Sequence, residues 1–148
     1  RLGLIVTSWS VIEDCINELF ALVCGTDAGS LYVVTMNVSQ NALIGWTRTL
    51  LNSRPSDRPD INEKLLGLID DVDEMRAERN ALVHGLWGTN CPPGSAMVQT
   101  VRLERKEIIQ DMVVTAADLD DLIDRISECG TEFRAVLKQI KAITRGTQ

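Results

Sequence analysis

Histidine is the scarcest reactive side chain in this 148-residue chain: there is one, at position 84. A single histidine excludes metal sites built from a histidine cluster, and no H-E-x-x-H string occurs. Cysteine is also sparse, with four residues at 15, 24, 91 and 129 and no C-x-x-C pair. That spacing suits neither a zinc site nor a disulfide framework. Cys15 and Cys24 share one helical segment and lie too far apart along its axis to bridge. Reduced, buried or half-buried thiols in a cytoplasmic protein are the expectation. A glycine-rich phosphate loop and a G-x-S-x-G elbow are missing too, and a cysteine nucleophile would lack a placed base. No cofactor and no metal are therefore expected.

Long apolar runs are absent as well. The longest, Leu19 to Cys24, falls far short of the roughly 18 residues that a membrane span requires, so no membrane association is expected. Nothing reads as a signal peptide, and the start at Arg1 rather than Met raises the expectation of a missing natural N-terminus. Basic runs are lacking: 15 basic residues stand against 21 acidic ones, a net charge of −6. Nonspecific nucleic-acid binding rests on basic patches that release counterions, so broad DNA binding is not expected. Eleven of the fifteen basic residues are arginines, which leaves a small anion site open.

What the chain does have is helical patterning. Hydrophobic residues make up 45% and charged residues 24%, an ordinary globular balance. A chain this long buries about 68–70% of its unfolded surface, enough for one unstapled domain over residues 1–148. Apolar residues at 5, 9, 12, 16, 19, 20 and 23 mark one helical stripe that Gly25 ends. Residues 25–30 read as a turn. Residues 31–51 read as one bent helix or two short ones, with Asn37 or Ser39 as a fresh cap. Residues 54–59 form an inter-helix linker, after which Asp57 or Asp60 caps a helix over about 58–84, with Glu63 completing a box. Its seam, Ile61, Leu65, Leu68, Val72, Met75 and Leu82, is heptad-like and implies a long partner helix.

Beyond Gly85 the period changes. Gly88, Pro92, Pro93 and Gly94 break the helix, and residues 97–103 alternate apolar with polar. A second extended run, 108–114, follows the polar turn 104–107, which predicts a β-hairpin over about 96–114. Thr115 to Asp118 then opens a last helix with a capping-box signature and a stripe running from Leu119 to about Ile143. The fold class expected is all-α: an up-and-down bundle of four to five helices, with the hairpin inserted before the last. Trp9, Trp46 and Trp87 read as core anchors. Asp118, Asp120, Asp121 and Asp124 read as a solvated helix face.

One stretch has unusual content, Met75 to Gly85. Arg79 occupies a seam position, and at about 100° per residue His84 lies about 140° round from it. Arg76, Asn80 and His84 form an i, i+4, i+8 ladder beside it. An arginine offers a fixed positive fork, a histidine gives and takes protons near neutral pH, and an asparagine orients. This set suits metal-free cleavage of a phosphodiester. A purely structural role is open too: a last-turn histidine complements the helix dipole, Gly85 is a normal cap, and Arg79 has Asp118 or Glu13 as candidate ion-pair partners.

The string Arg79-Asn80-x-x-x-His84-Gly85-x-Trp87 resembles the R-x4-H motif of the HEPN superfamily (higher eukaryotes and prokaryotes nucleotide-binding), with a polar residue directly after the arginine. Its place near the end of a third long helix is similar too. The resemblance covers roughly residues 4 to 144, with the hairpin as an insertion. It implies metal-independent RNA cleavage to 2′,3′-cyclic phosphate and 5′-hydroxyl ends at a site shared across a homodimer. His84 would be general acid or base, Arg79 would stabilise the charged phosphate, Asn80 would position His84 or the substrate, and Arg76 would bind substrate. A toxin, antiphage or stress-response role follows, with an antitoxin or other regulatory partner. Leu86 stands where one toxin branch carries a tyrosine that its partner enzyme modifies, so that regulation is not expected. A noncatalytic helical dimerisation or nucleotide-binding module on the same fold is the alternative. Apolar surface on the 61–82 seam and on the first helix also leads to the expectation of a homodimer, with the 79–84 motifs near the two-fold axis.

Overall fold

The computed structural model describes residues 1–53, 57–88, 91–102 and 107–146. Among them the chain is mostly helical, with five helices and a small antiparallel sheet of three strands.

Helix α1 (Leu2–Cys24) buries Ile5, Trp9, Ile12, Cys15, Ile16, Leu19 and Phe20 along one stripe. It stops at Gly25, which takes the left-handed conformation at φ 69° and ψ 31°. The Gly25 N–H then bonds the Leu22 carbonyl and the Thr26 N–H bonds the Ala21 carbonyl, both at 3.1 Å. This Schellman closure satisfies carbonyls that the helix end would leave orphaned.

The second helical stretch divides. Helix α2 (Ala28–Thr35) begins inside the expected turn, because Asp27 caps it by accepting the Ser30 N–H at 2.8 Å. Helix α3 (Gln40–Ser53) starts afresh, with Ser39 Oγ accepting the Ala42 N–H at 3.3 Å. Of the expected linker, residues 54–56 lie outside the described residues.

Helix α4 (Pro59–His84) opens with Pro59 in its first turn, but no side chain caps it. The expected box of Asp60 and Glu63 does not form. Arg58 holds the cap position, and Asp60, inside the first turn, accepts from its guanidinium at 3.1 and 2.8 Å. Ile61, Leu65, Leu68, Ile69, Val72, Met75 and Leu82 are buried within the single chain. The apolar seam is thus covered by the molecule's own helices. Its surface alone gives no reason for a second copy.

Strand β1 (Leu86–Gly88) follows α4 after one residue, and β2 (Ser95–Arg102) and β3 (Glu107–Thr115) complete the sheet in the order β1-β2-β3. The sheet has one strand more than the pattern implied. Three residues are too few to show an alternation, so β1 was invisible beside its breakers. Trp87 lies opposite Val98, which lies opposite Met112, and this row faces the core, where Val98 is buried. Leu86 and Val113 point the other way and are exposed. The polar turn expected at 104–107 lies outside the described residues except for Glu107.

Helix α5 (Ala116–Gly146) begins directly at the end of β3. Thr115 and Asp118 cap it reciprocally: the Thr115 N–H and Oγ1–H donate to Asp118 Oδ2 at 2.7 Å, and the Asp118 N–H donates to Thr115 Oγ1 at 3.3 Å. Its stripe of Leu122, Ile126, Cys129, Phe133, Val136 and Leu137 is buried, and α5 lies against both α1 and α4. Cys15 on α1 and Cys129 on α5 are both buried, and burial pushes the Cys129 thiol up to about 12. Of the three tryptophans only Trp9 is a core anchor, with its indole N–H on Gln40 Oε1 at 3.0 Å. Trp46 is 49% exposed on the rim of Phe20, and Trp87 is 40% exposed on the edge strand.

Candidate active site

The last turns of α4 bring Arg79, Asn80 and His84 together. Arg79 Nη1 donates to Asn80 Oδ1 at 2.9 Å and stands 3.5 Å from His84 Nε2. A guanidinium has no acceptor, so Arg79 can only donate in either contact. His84 is exposed at the helix end, and Arg79 and Asn80 are half-buried behind it. Side chains leaning toward each other thus close the gap of about 140° between positions 79 and 84.

Arg79 is under-committed. Among the described residues no carboxylate pairs with it, and its buried Nε has no hydrogen-bond partner. The two carboxylates considered as partners are elsewhere, Asp118 in the α5 cap and Glu13 exposed on α1. Buried guanidinium N–H groups are ordinarily satisfied, so an arginine left this way retains donors for an anion.

Arg76 behaves differently. Its Nε and Nη2 both donate to Asp73 Oδ1, at 3.0 and 2.9 Å. Asp73 also lies 3.6 Å from Arg48 of α3, which bonds Asp70 at 2.9 Å. The expected i, i+4, i+8 ladder is therefore split: Arg79, rather than Arg76, meets Asn80 and His84.

Two residues beyond the motif hold its end in place. The Gly85 N–H donates to the Ala81 carbonyl at 2.9 Å, and the Trp87 indole N–H donates to the Leu82 carbonyl at 2.9 Å. Gly85 is ordinary extended backbone, at φ −72° and ψ 159°. It is glycine for want of room: a Cβ there would lie 2.4 Å from the Ala81 carbonyl oxygen and 2.4 Å from Val98 Cγ1. The helix end is thus pressed onto β2. Gly85 was foreseen as the helix cap; its close approach to β2 and the bond from Trp87 were not, although a glycine between a helix and an extended run is itself a signal of close backbone approach.

Four cavities among the described residues are lined by residues other than Arg79, Asn80 and His84. The apolar one, about 220 Å³ and lined by Leu19, Leu51, Ile61 and Ile140 among others, lies at the other end of α4. Among the described residues no cluster of three or more metal-ligating side chains occurs, and no helix is long and apolar enough to cross a membrane. No family model, curated protein or solved structure matches the chain.

Proposed function

We propose that the chain is a metal-independent endoribonuclease of HEPN type, cutting RNA to 2′,3′-cyclic phosphate and 5′-hydroxyl ends. The observation that carries this reading is the meeting of Arg79, Asn80 and His84 at an exposed helix end, with no carboxylate on the arginine. In the proposed reaction His84 removes the proton of a ribose 2′-hydroxyl. The 2′-oxygen then attacks phosphorus, the bond from phosphorus to the 5′-oxygen breaks, and that oxygen leaves with a proton from a second acid. In a homodimer the second acid is the histidine of the other copy. Arg79 holds the charge that grows on the phosphoryl oxygens, and Asn80 holds Arg79. Arg76 would reach the RNA only by exchanging Asp73 for a phosphate.

In this reading the helices form an up-and-down HEPN bundle, with the hairpin of about 96–114 inserted before the last helix. The biological setting is a toxin, antiphage or stress-response system with an antitoxin or regulatory partner. One observation favours the second reading, a noncatalytic dimerisation or nucleotide-binding module: among the described residues no carboxylate orients the His84 ring.

The test is cleavage of mixed RNA in EDTA by wild type, Arg79→Ala and His84→Ala, with end mapping, melting curves and light scattering on the same samples. His84→Ala is expected to lose ~10²–10⁴-fold in rate. Arg79→Ala is expected to lose ~10²–10³-fold. The exposed His84 makes its variant melt like wild type, and EDTA leaves the rate unchanged. A stable His84→Ala that cuts at the wild-type rate, or a wild type that cuts nothing, ends the ribonuclease reading. A monomer at high micromolar concentration ends the shared-site scheme.

A further inference from the structure

We infer that Trp87 is the base-stacking residue of this site, holding a nucleobase next to the phosphate that Arg79 and His84 would engage. The inference rests on the ribonuclease reading and gives Trp87 a role that this reading leaves unassigned. Three observations carry it. The indole is 40% exposed although it sits in the core-facing row opposite Val98, because β1 is the open edge of the sheet. Its plane is set, since the indole N–H is bonded to the Leu82 carbonyl, two residues before His84. The chain carries a net charge of −6, and Arg76 is occupied by Asp73, so little binding energy comes from counterion release.

Affinity for RNA at such a site has to come from contacts that charge does not supply. A fixed aromatic plane is one, because every base has a π-face whatever its sequence. Stacking also serves the chemistry. In-line attack needs the 2′-oxygen, phosphorus and 5′-oxygen in a row, an arrangement that a stacked duplex does not hold. A base drawn onto Trp87 splays the linkage and lets the sugar turn.

The experiment uses full-length protein with Trp46→Phe as background, which leaves buried Trp9 and exposed Trp87 as the fluorophores. In this background His84→Ala is titrated with single-stranded oligouridylate and oligoadenylate and with the paired duplex. The single strands are expected to quench Trp87 fluorescence and the duplex to quench it far less. Trp87→Leu is expected to weaken single-strand binding about 10- to 100-fold. In the cleavage-competent background the same change raises KM and lowers kcat, and Trp87→Phe, which stacks without the N–H, restores most of both.

The outcomes separate the two readings. Cleavage with no quenching and a wild-type KM for Trp87→Leu overturns stacking and leaves the nuclease intact. Single-strand binding, followed by the anisotropy of a labelled oligonucleotide, that is lost in Trp87→Leu and kept in Trp87→Phe, from a protein that cuts nothing, keeps stacking and ends the nuclease reading. Absence of both quenching and cleavage overturns both. Leu and Phe variants that lose kcat alike at unchanged KM would show Trp87 acting only through its bond to Leu82, and would overturn stacking.

Discussion

A methyl group added at Gly85 has nowhere to go, since one neighbour is the backbone oxygen of Ala81 and the other is Val98 in the packed row of β2. Gly85→Ala therefore has to lift the end of α4 off the sheet. Overpacking of this kind costs ~1–3 kcal/mol, and displacing a reacting group by about 1 Å costs on the order of 10²-fold in rate. The variant is expected to melt several degrees lower and to cleave far more slowly. Gly67, mid-helix in α4 with nothing within 4 Å, supplies the contrast: Gly67→Ala is expected to gain ~0.5–1 kcal/mol and keep its activity. Equal melting shifts for the two variants would refute this account of Gly85. The string of Arg79, Asn80 and His84 was legible because its residues are local and chemically distinct. Half of Gly85 was legible, the helix stop. The other half depends on Val98, which sequence places thirteen residues away and only the sheet brings near. Trp87 was misread for the same reason: its exposure is set by strand order, not by its neighbours in sequence.

Elements whose ends are closed by local chemistry were readable, and α5 shows why. Its cap needs only Thr115 and Asp118, three residues apart, so the signature and the structure coincide. The Thr115 hydroxyl and N–H lower the Asp118 pKa. A carboxylate with a depressed folded pKa contributes stability above its unfolded value, near 3.9, and loses that contribution as pH falls through the lower folded value. Thr115→Ala is expected to cost ~1 kcal/mol at neutral pH, as lost caps do. The melting gap between wild type and variant should be constant from pH 6 to 8 and shrink below about pH 4. A gap that widens in acid would sink this account of the junction. The cap of α4 was misjudged because the helix starts at Pro59, which puts Arg58 at the cap position and Asp60 inside the first turn, where it pairs with Arg58. Strand β1 was missed for a different reason. It is a strand only because β2 offers it partners, and nothing in Leu86, Trp87 and Gly88 encodes that offer.

At the scale of the whole molecule, the first helix lies against the last, so the core closes only when the two ends of the chain meet. Mostly-helical character was readable from the 3.6-residue period. Which helices touch was not, because stripes do not name their partners. Cys15 and Cys129, buried on those two terminal helices, turn that closure into something a clock can read. Disulfide exchange proceeds through the thiolate, and a thiol pushed up to about 12 inside the core offers almost none. Cys24, which is exposed, and Cys91, which is half-buried, are expected to exchange promptly with a small aromatic disulfide in the native protein. Cys15 and Cys129 are expected to lag and to join the fast pair in denaturant. Mass spectrometry of the reaction over time checks this, and four thiols exchanging at one rate would refute it. The lag measures how often α1 and α5 part, so two ordinary buried cysteines make the protein a recorder of its own breathing.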